Sequence, residues 1–421
     1  MRAALRGLTT RGRSFLAAGV AAALGAVLLG ERDLLRVAVL LAVLPLLAAW
    51  YVGRSRHRLG THRELEPARL PAGEPARVRL HLHNAARLPI GTLLLEEGLP
   101  VALGGVPRLV LEKLAAGAST NVAYTVRPPH RGRYPIGPLR ARLTDPFGLC
   151  RLDRTFAEVA SLTVLPRTEA LPAVRLAGVH TGTGESRGRA VAVHGEDDTA
   201  TREYRHGDDL RRVHWRSTAR AGELMVRREE QPRERRATIL LDNRAAAHLG
   251  DGADSTFEWA VSAAASLIVH LRRGGHKVRL VCAPPDVERI DAPPIDQPVH
   301  DAATEMAAMD RLADVGPRRA DDLRPAVDRA RRAGERGLVV AVLGTCDTAA
   351  ARHLLGLAPG ADRGVALVVD PGWPGAAGTP ALTAGPQLLR DAGWRVVTRS
   401  PGESVAAVWE RLGAADPVGA R

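Results

Sequence analysis

Cysteine is nearly missing from this chain: Cys150, Cys282 and Cys346 are the only three in 421 residues. They lie far apart, without a CxxC or a Cys/His ligand spacing, so neither a disulfide framework nor a zinc site is indicated, and a reducing compartment suits them. Lysine is almost as scarce, confined to Lys113 and Lys277. The formal net charge of +13 is therefore carried by arginine in a chain crowded with alanine and glycine. That pattern reflects coding composition more than a phosphate-binding surface, so net charge is a poor guide to a nucleic-acid partner. Nucleotide signatures are missing as well. There is no P-loop, "DNRAAAHLG" after residue 241 has no glycine-rich turn, and "GTGESRG" at 182–188 has no strand before it or helix after it. No nucleotide or other cofactor is expected.

What is present begins with two apolar runs. Residues 14–30 and 34–52 are interrupted only by Arg36 and Pro45. At about 1.5 Å per residue each spans roughly 25 to 29 Å, close to a bilayer's apolar core of about 30 Å. The second run follows after a very short turn and no clean cleavage site stands near Gly30, so a membrane hairpin is expected in place of a signal peptide. Arg36 lies near the end of its run, where a long side chain reaches the interface. Arg2, Arg6, Arg11 and Arg13 precede the first run and Arg54, Arg56 and Arg58 follow the second. The positive-inside rule then puts both ends, and everything after residue 58, in the cytoplasm.

From 59 to 166 the pattern becomes short alternating runs. Val78, Leu80 and Leu82 alternate with polar neighbours, as do Val122, Tyr124, Val126 and Leu139, Ala141, Leu143. Period two means half-buried strands, and about a hundred residues of them predict an immunoglobulin-like β-sandwich. "RGRYPIGPLRARLTDPFGL" at 131–149 reads as a turn-rich connector with no nucleophile beside a base. From 237 to 413 apolar runs at 237–242, 277–283, 337–344, 364–370 and 394–400 alternate with helical stretches at 255–273, 321–334, 348–357, 380–392 and 403–412. That order predicts a mostly parallel, doubly wound sheet, whose ligands bind beyond the carboxyl ends of the strands, where Asp242 and Asp370 stand. Residues 414–421 form a tail, and 283–298 and 302–309 stay unassigned.

Between the two domains, 167–236 forms a linker carrying "REYRHGDDLRRVHWRSTARAGELMVR". Adjacent Asp208 and Asp209 point apart on an extended chain, and His214 has no Ser or Cys partner at motif spacing, so catalysis is disfavoured. Eleven arginines face seven acids over 202–236, with only Tyr204 and Trp215 able to stack on bases, which is thin for a nucleic-acid groove. A structural or docking network remains. Asp208, Asp209, Glu203 and Glu223 are placed to pair with Arg212, Arg216 and Arg220, while Trp215 supplies an apolar anchor and Gly207 and Gly222 supply turns. Tyr204, Gly207, Asp208, Arg212, His214, Trp215, Arg220 and Gly222 are thus the candidate residues, either clamping the domains together or facing a partner.

The two apolar runs, "RGRYPIGPL", "DPFGL", the arginine-rich core and "FEWAVSAAASL" together resemble the bacterial domain of unknown function 58 family. The resemblance implies a von Willebrand factor A-like sheet, partnership with a MoxR-type AAA+ ATPase, association with transglutaminase-like membrane proteins, and no enzymatic activity. Von Willebrand factor A domains often hold a divalent cation on an Asp-x-Ser-x-Ser turn. Here those places are Asp242, Arg244 and Ala246, so two oxygen ligands are missing and a positive charge replaces one of them. The reading is a non-enzymatic, membrane-anchored adaptor. A metal-dependent binder with an atypical ion site is the alternative, and a membrane-associated hydrolase a further one.

Overall fold

Ala76, Val78, Leu80 and Leu82 are buried while the residues between them are not, the period-two signature of a strand with one face on a core. The structure, a computed structural model, describes residues 7–55, 59–87, 89–112, 114–145, 147–176, 179–181, 201–204, 213–227, 235–283, 298–319, 322–332, 337–357, 364–369 and 380–414. The chain divides into two units, 1–165 and 166–421.

The first unit opens with helices α1 (Thr10–Leu29) and α2 (Arg32–Ser55). Both are long and apolar enough to cross a membrane. Gly30, with φ 69°, closes α1 and lets the chain turn back. Gly19 lies against the Ala38 and Ala42 backbone, so the two helices pack closely there. Arg36 pairs with Asp33 at 2.7 Å on the exposed side of α2.

Ten strands follow: β1 (Leu59–Glu66), β2 (Arg69–Pro71), β3 (Ala76–Asn84), β4 (Leu93–Glu97), β5 (Arg108–Leu111), β6 (Ser119–Val126), β7 (Gly132–Ile136), β8 (Leu139–Thr144), β9 (Arg151–Phe156) and β10 (Ala160–Leu165). They form sheets of order β1-β3-β6, β2-β10-β7 and β5-β4-β8-β9. Leu59, Leu80 and Leu82 of the first sheet pack on Leu93, Leu95, Leu139 and Leu143 of the third. Val78 and Val126 pack on Leu70, Ile136 and Leu162 of the second. Sheets stacked through alternating apolar faces are the sandwich arrangement. A buried ion pair sits in this unit, Arg63 Nη2 donating to Glu97 Oε1 at 2.5 Å and Nη1 to the Glu158 carbonyl at 3.0 Å. Burial pushes the Glu97 carboxyl above the usual range, against the pull of Arg63.

In the second unit β11 (Val174–Leu176) pairs with β12 (Val179–Thr181) and β13 (Thr201–Glu203) with β14 (Met225–Arg227), and helix α3 (Trp215–Ala221) lies between β13 and β14 in the chain. The main sheet comprises β15 (Arg235–Leu241), β16 (His276–Cys282), β17 (Leu338–Leu343), β18 (Gly364–Val369) and β19 (Arg395–Arg399). Its order is β16-β15-β17-β18-β19 and every pairing is parallel. Between the strands lie α4 (Thr256–Arg273), α5 (Ala302–Asp314), α6 (Arg324–Arg332), α7 (Thr348–Leu355) and α8 (Pro380–Asp391), and α9 (Val405–Ala414) closes the fold. β17 and β18 are buried along their whole length, as strands covered on both faces must be. Helix starts follow side-chain caps: Ser255 accepts from Glu258 N, Asp301 from Thr304 N and Asp347 from Ala350 N.

Residues 166–176, read from sequence as part of a linker, lie along α4 and α9 as a strap. The Glu169 amide donates to Ser266 Oγ at 2.9 Å, Ser262 Oγ donates to the Arg167 carbonyl at 2.7 Å, and the Trp409 indole donates to the Pro172 carbonyl at 3.1 Å. The Glu169 carboxylate accepts from Ala406 N at 3.0 Å, placing a negative charge at the amino end of α9.

Candidate functional site: the Trp215 helix and the Asp242 sheet edge

The arginine-rich motif folds as a helix held on a ladder. The β13–β14 register pairs Arg202 with Val226 and Glu203 with Met225, and Val213 bridges Val226 on its other side. Tyr204 N donates to the Leu224 carbonyl and His214 N to the Met225 carbonyl, both at 2.8 Å. Helix α3 was not foreseen. It is seven residues long and has too little apolar periodicity to register in sequence. Its ends are nonetheless well specified. His214 Nδ1 accepts from Ser217 N at 3.3 Å and lies 2.8 Å from Ser217 Oγ. At the other end Gly222, with φ 76°, donates from its backbone to the Thr218 carbonyl at 2.9 Å. Thr218 Oγ1 accepts from Met225 N at 3.0 Å, tying helix to ladder.

Val213 and Val226 are buried, whereas Trp215 is 69% exposed. The indole at the start of α3 is therefore not buried within its own unit. Leu224 is also exposed, as are Arg216 and Arg220. The structure thus brings Tyr204, His214, Trp215, Arg220 and Gly222 into one small element. Gly207, Asp208 and Arg212, with Asp209, lie outside the described residues, so the proposed carboxylate–arginine network there is not described.

The second place is the end of β15, beside β17. In a parallel sheet of this order the strand sequence reverses between β15 and β17, the switch point beyond which such folds bind ligands. Asp242 is fully buried and its amide donates to the Val342 carbonyl at 2.9 Å. Arg244 curls back over it. The Arg244 amide and Nε donate to Asp242 Oδ1 at 3.1 and 2.9 Å, Nη2 donates to Oδ2 at 2.8 Å, and the same Nη2 reaches the Thr345 carbonyl at 3.4 Å. Burial works against the charged guanidinium, yet the hydrogen bonds and charge of Asp242 outweigh it and hold Arg244 above the usual arginine value.

Neighbouring groups pack around this strand end. His248 Nε2 lies 2.7 Å from the Asp242 carbonyl, its ring meets Phe257 edge-on, and burial lowers its pKa. The Asn243 amide pairs with both backbone groups of Ala283 at 3.2 Å. Burial pushes the Cys346 thiol up to about 12, with Arg244 the main opposing influence, which disfavours the thiolate at neutral pH. Arg244 thus occupies the place where a cation on Asp242 would sit. Ala246, two residues beyond Arg244, is exposed and has no side-chain oxygen. No group of three or more His, Cys, Asp or Glu side chains among the described residues is placed to hold a metal ion. Asp370, the other strand-end carboxylate singled out from sequence, lies outside them.

Residues 200–371 match the family model described as protein of unknown function DUF58. The match supports that family, and its range opens on the β13–α3–β14 element and takes in the Asp242 edge. No curated protein matches the chain. Among solved structures, the chain is similar to the CARDB domain of a Pyrococcus furiosus protein in complex with di-metal ions, at 14% identity and TM-score 0.20 over 26% of this chain and 93% of that one. It is also similar to Pseudomonas fluorescens alkylpurine DNA glycosylase AlkC bound to DNA containing an abasic site analog, at 16% identity and TM-score 0.18 over 32% and 40%. A third likeness is PapD-like domain 7 of human CEP192, at 14% identity and TM-score 0.19 over 26% and 87%.

Two further features have little signal in the sequence. The strap at 166–176 shows no periodicity of its own, and only its prolines signalled extended chain. The buried Arg63–Glu97 pair joins residues far apart in sequence, which no local pattern can announce.

Proposed function

We propose that this chain is a membrane-anchored, cytoplasm-facing adaptor without catalytic activity, whose α3 element docks a protein partner. The observation that carries the reading is Trp215: a large aromatic side chain left in solvent on a helix whose two ends and one face are fastened by hydrogen bonds. Rigid exposed aromatics beside arginines are the groups that anchor interfaces, because they bury much area at little cost in conformational entropy. The partner proposed is a MoxR-type AAA+ ATPase, with a transglutaminase-like membrane protein as a further member of the assembly. The sheet is read as a von Willebrand factor A-like module that uses Arg244 in place of a cation.

Membrane anchoring is supported by where the apolar side chains of the hairpin lie. Val27, Leu28 and Leu29 of α1 and Leu40, Leu47 and Trp50 of α2 all face outward. In water such a surface would be costly, and in lipid it is the expected one. The arginines before and at the start of α1, and at the end of and after α2, support the cytoplasmic orientation.

The experiment is a binding titration of the full-length protein in detergent or nanodiscs against a purified MoxR-type ATPase from the same organism. Binding that drops at least tenfold in Trp215→Ala, without loss of folding, supports the reading. Binding indifferent to Trp215, or turnover of an ester, phosphoester or peptide by the purified protein, removes it.

A further inference from the structure

We infer that the tip of the 145–150 loop is a lipid contact, with Phe147 entering the boundary between headgroups and acyl chains of an anionic bilayer beside the base of α1. The inference rests on the membrane reading of the hairpin and deepens it, because it gives the β-sandwich its own contact with the bilayer.

The loop is shaped from within. Asp145 is buried, and its carboxylate accepts from Cys150 N at 2.5 Å and from Phe147 N at 3.0 Å. Gly148 N donates to the Asp145 carbonyl at 3.1 Å, and its φ of 67° turns the chain sharply. A buried carboxylate bonded to these two backbone amides ties Phe147 and Cys150 to Asp145. The side chain this shape presents is a phenyl ring, 63% exposed, with no core of its own to fill.

The loop is also fastened to the hairpin. Thr9, which caps α1, donates from Oγ1 to the Gly148 carbonyl at 2.7 Å and from its amide to the Leu149 carbonyl at 2.9 Å. Leu8 bridges Cys150 in antiparallel fashion, and Arg151 N donates to the Gly7 carbonyl at 2.7 Å. Gly12 lies so close to the Leu149 carbonyl that a side chain there would collide with it. At the base of α2, the Tyr51 hydroxyl donates to the Pro89 carbonyl at 2.6 Å, and Ala48, Ala49 and Val52 join the sandwich core. Both helix bases are thus bound to one end of the β-sandwich, and Phe147 sits on that end within two residues of the backbone that caps α1.

If α1 enters lipid at Thr10, this end of the sandwich has to face the membrane surface. Exposed Arg11 and Arg13 lie in the first turn of α1, and the Arg11 guanidinium extends toward Gly148. An aromatic ring flanked by arginines suits an interface where the ring sits among headgroups and the cations meet anionic lipid. A second protein would need a surface extending beyond the loop, whereas a bilayer is already brought there by the hairpin.

The test uses single-cysteine additions to the full-length protein, whose own three cysteines are buried. Nitroxide labels are placed at Phe147→Cys, at Val20→Cys on the outward face of α1, and at Val159→Cys. Val159 follows β9, which starts at the anchored Arg151 and runs its six residues, roughly 20 Å, away from that end. The protein is reconstituted in phosphatidylcholine vesicles containing phosphatidylglycerol, and label collision with oxygen and with a nickel chelate is measured. The expected result is high oxygen and low nickel access at both 20 and 147, with free nickel access at 159. Nickel access at 147 equal to that at 159, with 20 still in lipid, overturns the inference and leaves the hairpin reading intact. Low access to both reagents at 147 means burial in protein and overturns it too. Free nickel access at 20 removes the membrane reading and this inference with it.

Discussion

Replacing Arg244 with alanine tests the closed sheet edge most sharply. Asp242 has no exposure, and two of the three hydrogen bonds that Arg244 gives its carboxylate come from the guanidinium. Truncation leaves the backbone bond and an uncompensated buried charge. Breaking a buried pair in this way costs about 3 to 5 kcal/mol, whereas removing both charges costs less, because no carboxylate is then stranded. Arg244→Ala is therefore expected to lower stability by about that amount, and Asp242→Ala with Arg244→Ala to cost less than the sum of the single changes by about 2 kcal/mol or more. The assay is urea unfolding of the full-length protein in detergent, followed through the buried tryptophans of the second unit, Trp259, Trp394 and Trp409. A loss below about 1 kcal/mol in Arg244→Ala, or additive single changes, would refute the view that the guanidinium substitutes for a bound cation. Calorimetric titration of the unaltered protein with magnesium gives a second check: no saturable heat is expected, and stoichiometric binding at this edge would support the metal-dependent alternative.

Other expectations follow from the same contacts. Burial lowers the pKa of His248, His270 and His276 below the ordinary 6.5, so the folded state binds fewer protons than the unfolded one. Stability of the second unit should be full above that value and fall as pH drops from 6.5 toward the lowered values, with His248→Gln flattening the slope; a midpoint that rises on acidification contradicts this. Gly344→Ala should fail to accumulate as folded protein, because a Cβ there overlaps the Ala247 carbonyl, and normal yield with a native melting curve counts against that packing. Trp409→Phe removes the bond to the Pro172 carbonyl and should cost about 1 kcal/mol, while protease cleavage near residue 172 becomes faster.

The C-terminal sheet was legible because its strands announce themselves. The apolar runs read at 237–242, 277–283, 337–344, 364–370 and 394–400 appear as β15 to β19 with ends shifted by a residue or two. Helix α4 was equally clear, since Ser255 caps a strongly periodic stretch. Helix α5 was left unassigned because alanine and methionine supply most of its apolar face. Its usable signal was local, the reciprocal cap between Asp301 and Thr304. The hairpin was found with slightly narrower limits than α1 and α2 have, because charged residues at their ends belong to the helices but not to the apolar runs.

At the candidate site, sequence drew attention to residues without showing what surrounds them. Asp242 and Arg244 were singled out by departure from a ligand pattern, and their spacing lets the guanidinium fold back on the carboxylate. His214 and Trp215 were marked as a network member and an anchor. His214 caps α3, and Trp215 is exposed. A cap needs only one nitrogen in the right place, and exposure depends on what the chain packs around it, so neither is written in residue type.

The most direct measurement is a paired one on Trp215→Ala: affinity of the full-length protein for a MoxR-type AAA+ ATPase, and the melting temperature of the same preparation. The account predicts that affinity falls at least tenfold while melting shifts by no more than a degree or two, as for an exposed residue. Unchanged affinity, or a melting temperature lowered by many degrees, would contradict it.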